Sequence, residues 1–300
     1  MQSVMPAEPR RKPRPAPLGA RLTLAPTLVA ALVFFYATIG WTIVMSFTPS
    51  RLLPDYSFAG TVQYQRLFAT PRWEVAFHNM FLFGGLFIAI CLGLGFFLAA
   101  ALDRKIMLEG TLRSIFLYPF ALSFIVAGLA WQWLLNPTFG VEKVLHDMGF
   151  ANARFDWIVD PDMAIYTIVI AGVWRNAGLI MAIFLAGLRG INPEIWRATR
   201  VDGIPAWRVY LQVIIPMMRP TILTAVVLLS ASVVTSYDLV VAMTAGGPGF
   251  STDLPGKFVV DLLFKRSNLG LASAAAVVML TAIIGALAPY FILELRRTRT

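Results

Sequence analysis

The sequence predicts an all-α integral membrane protein that crosses the bilayer with six transmembrane helices. Apolar residues make up 58% of the 300 residues and charged residues only 14%, whereas roughly 25% of the residues of soluble domains are charged. A soluble domain could not bury this much apolar surface, so the lipid bilayer must solvate much of the chain. The apolar runs are continuous and lack the alternation of barrel strands, which excludes strands as the spanning elements.

Six charge-poor runs are long enough to span a hydrocarbon core of about 30 Å, which requires about 20 helical residues. In chain order they are Leu22–Phe47, Val75–Leu102, a run within Ser114–Leu135, Met163–Leu188, a run from near Thr221 to about Tyr237, and Gly270–Leu293. The first run is too long for the apolar core of a cleaved signal peptide, so we expect a retained helix. Only Arg175 interrupts the fourth run.

The distribution of basic residues predicts which side of the membrane each loop faces. The segments 1–21, 103–113, 189–219 and 294–300 together hold 16 Lys and Arg residues, and the alternate loops hold eight. Because basic residues concentrate on the cytoplasmic side, both termini and the segment 189–219 are predicted to be cytoplasmic. The net charge of +9 therefore reflects topology and does not indicate a nucleic-acid partner. The tail 1–21, with five prolines and five basic residues, is predicted to be disordered.

Residue types that carry metal or cofactor chemistry are sparse in the chain. Cys91 is the single cysteine, and His78 and His146 match no metal-binding spacing. A phosphate-binding GxxxxGK(S/T) loop is missing, because Gly256-Lys257 lacks the upstream glycine and the following Ser or Thr. We therefore expect no cofactor and no metal on this chain, and ATP that drives its function must be bound by separate subunits.

A basic segment, NPEIWRATRVDGIPAWRVYLQVIIPMMRP (192–220), separates the fourth and fifth apolar runs. Asn192 and Pro193 predict the capped start of a short helix that runs to about Val201, and Gly203 ends it in a left-handed conformation. Pro205 predicts the start of a second, amphipathic helix. Its apolar stripe comprises Trp207, Tyr210, Leu211, Ile214 and Ile215. The segment is either an interfacial connector or a short helix that fits a groove on another protein.

This segment resembles the EAA motif of ABC-transporter permease subunits, which consists of Glu-Ala-Ala, three residues, Gly, nine residues and Ile-x-Leu-Pro. Here Arg197-Ala198-Thr199 stand at the Glu-Ala-Ala places, Gly203 follows at the spacing of the motif, and Val213, Ile215 and Pro216 stand at the terminal places. Ala198, Gly203 and Pro216 match outright. Arg197 departs from the family's glutamate, and Glu194 lies one turn earlier.

Three further stretches extend the resemblance over most of the chain. IFLAGLRGINPEIWRAT (183–199) is similar to the exit of the fourth helix of sugar permeases. SYDLVVAMTAGGPG (236–249) is similar to the Asp-Leu and Thr-Gly-Gly-Gly-Pro segment of maltose-permease-type subunits, with Ala245 replacing one glycine. FLYPFALSFIVAGLAWQWLLNP (116–137) looks closest to the glucose/mannose-type branch.

The resemblance implies a type I ABC permease core over 75–292 with a cytoplasmic coupling helix in the segment 192–216. A first helix and an extracytoplasmic loop (22–74) precede this core, and a cytoplasmic tail (293–300) follows it. The residues expected to couple to the ATPase are Glu194, Arg197, Ala198, Thr199, Asp202, Gly203 and Pro216.

The same resemblance implies one subunit of a bacterial sugar importer in the cytoplasmic (inner) membrane. The subunit would be a transport protein without ATPase activity of its own. Its implied partners are a second permease, two nucleotide-binding ATPase subunits and an extracytoplasmic sugar-binding protein. The branch implies an aldohexose such as glucose or mannose as the substrate.

Candidates for the substrate path are Trp174, Arg175, Asn176, Tyr237 and Asp238. A charge near the middle of a span costs about 2.5–3.5 kcal/mol, so Arg175 must meet a cavity, an acid or backbone carbonyls. Trp174-Arg175-Asn176 resembles sugar-site chemistry, with an aromatic face and hydrogen-bond donors. The alternative is a helix–helix pair between Arg175 and Asp238. If Arg175 faces the cavity unpaired, we expect an anionic sugar, because guanidinium binds carboxylate, sulfonate or phosphate well.

Two other classes of membrane protein stay open at this point. A secondary transporter would show repeat symmetry and broken helices, and the sequence has no evident repeat of 20–50 residues. An integral membrane enzyme would need clustered catalytic groups at one depth. Arg175, Asp238 and His78 form no such set. ATP-dependent uptake would separate a secondary transporter from an ATP-driven importer.

Overall fold

The computed structural model describes residues 18–103, 107–150, 152 and 154–297, and side chains between 25 and 288. Every regular element in this part of the chain is helical, which confirms the predicted fold class. The helices are α1 Leu18–Met45, α2 Val62–Phe68, α3 Pro71–Leu102, α4 Glu109–Ala121, α5 Phe124–Leu134, α6 Val141–Asp147, α7 Ala164–Arg189, α8 Pro193–Val201, α9 Ala206–Val209, α10 Ile215–Met217, α11 Arg219–Val234, α12 Tyr237–Met243, α13 Pro255–Val260 and α14 Leu269–Arg297. Two π-helical stretches, Tyr210–Ile214 and Asp261–Lys265, continue α9 and α13, and a 3₁₀ turn covers Asp156–Ile158.

Four unbroken helices in the described part of the chain are long and apolar enough to cross a membrane. They lie at Ala25–Met45 in α1, Pro71–Leu102 (α3), Ala164–Arg189 (α7) and Leu269–Ala288 in α14. Two further spans are broken: α4 and α5 meet at 98°, and the helical stretch Ala206–Met217 meets α11 at 73°. Counting each broken pair as one span gives six, but the fifth then begins at Ala206 and not near Thr221, so it includes residues 206–216 that the sequence assigned to the cytoplasmic segment. Of the predicted tail, residues 1–17 lie outside the described part of the chain, and 18–21 form the first turn of α1.

The two breaks have local causes in the backbone. Leu122 and Ser123 adopt extended conformations, with ψ of 145° and 155°, so α4 ends and α5 starts afresh. The Ser123 side chain caps α5 by accepting a hydrogen bond from the backbone N–H of Val126 at 3.2 Å. At the second break, Pro220 lacks the N–H that would bond the carbonyl of Pro216 in a continuous helix.

The centre of the fold is the pair α3 and α7, which pack against each other. In the most apolar 18-residue window of α7, 72% of the residues are buried, against 6% for α1, so α7 is central and α1 peripheral. Glycines allow the close approach. A Cβ at Gly95 would lie 2.7 Å from Cγ2 of Ile180, and a Cβ at Gly178 would lie 1.8 Å from the carbonyl oxygen of Phe116 in α4. The helices can therefore touch only because these positions have no side chain.

A buried ion cluster joins the start of α3 to α13 and the π stretch after it. Arg72 bonds both Asp253 and Asp261, and Lys257 bonds the same two carboxylates at 2.9 Å. The Nζ of Lys265 also pairs with the Asp261 carboxylate, at 2.7 Å. Asp261 lies outside the candidate membrane spans. Burial would raise the pKa of the Asp261 carboxyl, but hydrogen bonds from the three cations outweigh it and hold that pKa well below its ordinary value.

Candidate functional site

Helix α8 begins with the cap that the sequence predicts. The Asn192 side-chain oxygen accepts a hydrogen bond from the backbone N–H of Glu194 at 2.9 Å, and Pro193 occupies the first helical position. The Asn192 amide also donates to the Glu194 carboxylate at 3.3 Å. The carboxylate lies in the first turn, where the helix dipole favours a negative charge. The start of α8 is therefore fixed by local chemistry.

The end of α8 is a Schellman motif, which also follows the sequence prediction. Gly203 has φ of +64°, its N–H donates to the carbonyl of Arg200 at 3.3 Å, and the N–H of Ile204 donates to the carbonyl of Thr199 at 3.2 Å. A Cβ at Gly203 would meet no atom within 4 Å. The glycine is therefore required by its left-handed backbone and not by packing.

The predicted coupling residues divide by exposure. Glu194, Arg197, Ala198, Asp202 and Gly203 are exposed, Thr199 is buried, and Pro216 is half-buried. The Thr199 hydroxyl donates to the carbonyl of Trp196 at 3.2 Å, so its side chain is used within α8. The five exposed positions are accessible from outside the fold, whereas Thr199 is covered and Pro216 is partly covered.

The helix that follows Gly203 differs from the predicted single apolar stripe. The π stretch Tyr210–Ile214 inserts one residue into the turn and shifts the side chains that follow it. As a result Ile214 is buried, Tyr210 is half-buried, and Trp207 and Leu211 remain exposed. The predicted apolar stripe holds only for an uninterrupted α-helix, and the π stretch interrupts the helix here.

A chain of four aromatic rings connects α8 to the central helices. The Trp196 ring lies 5.8 Å from Tyr210, Tyr210 lies 5.9 Å from Phe96 in α3, and Phe96 lies 6.0 Å from Phe184 in α7. All three pairs pack edge to face, which is a favourable geometry for aromatic rings. The sequence does not reveal these ring contacts, because contacts between distant segments leave no local signal.

Arg175 occupies the bend between α4 and α5. Its Nε donates to the carbonyl of Leu122 at 3.1 Å, and its guanidinium lies 3.7 Å from the centroid of the Phe124 ring and 5.1 Å from that of Phe120. No carboxylate of the described residues pairs with it, so the hypothesised pair with Asp238 is absent. A cation at the last carbonyls of α4 is also favoured by the helix dipole. Arg175 therefore holds the bend through a carbonyl and two rings.

The other substrate-path candidates do not converge with Arg175 on one cluster of contacts. Trp174 is exposed, and its ring packs edge to face on Trp131 at 5.9 Å. Asn176 is buried and donates to the carbonyl of Gly172 at 2.9 Å, and its side-chain oxygen has no hydrogen-bond partner in the described part of the chain. Tyr237 is half-buried and Asp238 is exposed, both at the start of α12.

Comparison with known proteins shows one family over most of the chain. The family described as "Binding-protein-dependent transport system inner membrane component" matches residues 92–298. A probable ABC transporter permease protein of Pyrococcus horikoshii is 36% identical over 90% of this chain and 93% of the relative. The xylose/arabinose import permease protein of Haloferax volcanii is 30% identical over 85% of this chain and 81% of the relative. A sulfoquinovosyl glycerol transport system permease protein of Agrobacterium fabrum is 29% identical, over 87% and 85%.

Solved structures show the same fold. A bacterial ABC transporter involved in the import of the acidic polysaccharide alginate superimposes with a TM-score of 0.75, at 20% identity, over 89% of this chain and 93% of that chain. A second structure of a bacterial alginate ABC transporter, in complex with an alginate pentasaccharide-bound periplasmic protein, also gives 0.75 over 89% and 92%. At this level of identity the likeness concerns the fold alone.

Proposed function

The chain belongs to the family of binding-protein-dependent transport system inner membrane components, and from this we propose that it is a permease subunit of a bacterial sugar importer. Members of this family are transport subunits of ABC importers and not enzymes, and ATP hydrolysis belongs to partner subunits. Membership also sets aside the secondary transporter and the integral membrane enzyme as explanations of the six predicted spans.

In this proposal α8 is the helix that docks on an ATPase subunit. The observation that carries it is a nine-residue helix that is capped at Asn192, terminated at Gly203 and exposed at Ala198. A simple connector between two spans needs no helix cap, no terminating glycine and no exposed small residue. When ATP closes the ATPase subunits, α8 moves with them, and the ring chain that starts at Trp196 passes the movement to α3 and α7.

Crosslinking tests the docking directly. We expect Ala198→Cys to crosslink to an ATPase subunit in the assembled complex, because Ala198 is exposed and small. Cys91, the single native cysteine, is buried, so we expect it not to crosslink. Arg51→Cys is the matched control: Arg51 is exposed and is predicted to lie on the opposite side of the membrane. The docking proposal is wrong if no position from 193 to 203 crosslinks.

For the substrate we propose an aldohexose such as glucose or mannose, on the resemblance of residues 116–137. An anionic sugar is the second candidate, because Arg175 has no carboxylate partner in the described part of the chain. Relatives are named for a neutral sugar and for an anionic one: trehalose/maltose in Thermococcus litoralis and sulfoquinovosyl glycerol in Agrobacterium fabrum. The deciding measurement is which sugar the cognate binding protein holds, followed by uptake of that sugar in reconstituted vesicles.

The complete transporter would contain a second permease, two ATPase subunits and an extracytoplasmic sugar-binding protein. Both termini and α8 would face the cytoplasm, as the distribution of basic residues predicts. Labelling of Ala198→Cys by a membrane-impermeant maleimide tests this orientation in intact cells. Labelling from outside would place α8 on the wrong side and contradict the proposal.

A further inference from the structure

The exposed surface of α8 carries an arginine, Arg197, for which the described residues provide no partner. Arg197 forms no ion pair, hydrogen bond or ring contact within the described part of the chain. Arg189, a few residues upstream, is different, because it binds Glu109 at 2.7 Å and approaches Asp103 at 3.8 Å. Exposed arginines are common, so the surroundings of Arg197 decide what it does.

These surroundings form a cavity. Arg197 and Arg200 line a space of about 850 Å³ between α8, the start of α9 and the end of α7, with apolar walls that include Ile204 and Val209. Asp103 is the one carboxylate among the described lining residues, and Arg189 lies against it. Because a guanidinium binds a carboxylate through two parallel hydrogen bonds, this cavity is suited to receiving acidic side chains.

We propose that the ATPase subunit presents an acidic surface to this cavity and that one of its carboxylates binds Arg197. The inference rests on the proposed function: it takes the docking of α8 as given and adds the sign of the partner's charge. The segment 192–219 holds four arginines and two carboxylates. The Glu194 carboxylate is engaged by Asn192 at the cap. The surface that this segment offers is therefore positive, and an acidic groove is its complement.

An anionic lipid headgroup is the other group that such a cavity could attract. The position of Arg197 favours a protein. It directly precedes Ala198, whose small exposed side chain lets a protein surface approach the helix closely. We therefore assign the cavity to a carboxylate of the ATPase subunit and make the lipid an outcome of the test.

The experiment measures binding of the ATPase subunit to the full-length permease in nanodiscs with and without anionic lipid. We expect Arg197→Glu to weaken binding about tenfold in both, because the charge pair becomes repulsive. We also expect wild-type binding to weaken as salt rises and Arg197→Glu to lose this dependence. Arg197→Lys should fall between them, since lysine keeps the charge but lacks the planar fork. Arg113→Glu is the matched control, because Arg113 is exposed, unpaired within the described residues and also predicted to be cytoplasmic.

Each outcome supports or overturns either the acidic-surface inference or the proposed function. Wild-type affinity for Arg197→Glu, with the Ala198→Cys crosslink intact, overturns the acidic surface but leaves the proposed function in place. Loss of the crosslink across 193–203 overturns the proposed function itself. A loss confined to nanodiscs with anionic lipid assigns Arg197 to a headgroup and overturns the inference. If Arg197→Cys crosslinks to a site on the ATPase subunit, changing the acid there to lysine should restore binding to Arg197→Glu and support it.

Discussion

Gly203 is the position where the structure makes the sharpest quantitative prediction. Its φ of +64° places it in the left-handed region, and a Cβ there would meet no atom within 4 Å. Gly203→Ala therefore adds backbone strain without a steric clash. A left-handed L-residue costs about 1–2 kcal/mol, which increases local opening of the helix end about 5–30-fold. Gly203→Asn should cost less, because asparagine tolerates this region better.

Hydrogen exchange of the purified permease measures this effect. The N–H groups of residue 203 and Ile204 form the terminating hydrogen bonds, so their amides should exchange faster in Gly203→Ala by that factor. Gly190→Ala is the matched control: Gly190 has φ of −78°, and the nearest atom to a Cβ there is a carbonyl oxygen at 3.4 Å. We expect the control to leave exchange almost unchanged. Wild-type exchange at 203 and 204 in Gly203→Ala would refute the idea that this glycine holds the end of α8.

Three further predictions test other parts of the molecule. Gly178→Ala should abolish the folded protein, because its Cβ would lie 1.8 Å from a backbone oxygen of α4, whereas Gly85→Ala, with no atom within 4 Å, should not; monodispersity in size-exclusion chromatography reports both. Arg175→Gln should lower the free energy of unfolding by about 1–3 kcal/mol through the lost carbonyl and ring contacts, and unchanged stability with altered sugar uptake would instead favour a substrate contact. Because the pKa of Asp261 is lowered in the folded state, its stabilisation is present at neutral pH and disappears as the pH falls below the ordinary value of 3.8 toward the folded value. Asp261→Asn should therefore be less stable than the wild type at pH 7, and the difference in melting temperature should shrink at low pH; a constant difference would contradict the cluster.

Local signals in the sequence predicted the elements that local chemistry creates. Asn192, Pro193 and Gly203 act on the backbone within a few residues, so the start and end of α8 were predictable and are confirmed. The apolar runs likewise predicted the membrane spans, because a helix that can cross the bilayer is recognised by its length and apolar composition alone. The EAA resemblance depended on spacing within about 20 residues, and the family match over 92–298 agrees with it.

What the sequence could not show depends on contacts between distant segments. Arg72 pairs with Asp253 and Asp261, which lie 181 and 189 residues away along the chain. The sequence left the partner of Arg175 open between an acid, a cavity and a carbonyl, and the Leu122 carbonyl reaches it only because of the 98° bend. Periodicity also failed at Tyr210–Ile214, because a π stretch has no distinctive composition.

These distant contacts give α3 a specific mechanical position. At one end, Arg72 fixes α3 to α13 through the buried ion cluster, and at the other, Phe96 links it to α8 through Tyr210 and to α7 directly. A displacement of α8 cannot leave this ring chain intact unless α3 and α7 move with it. Close-packed helices do not deform continuously, so the pair should move as one body between discrete arrangements.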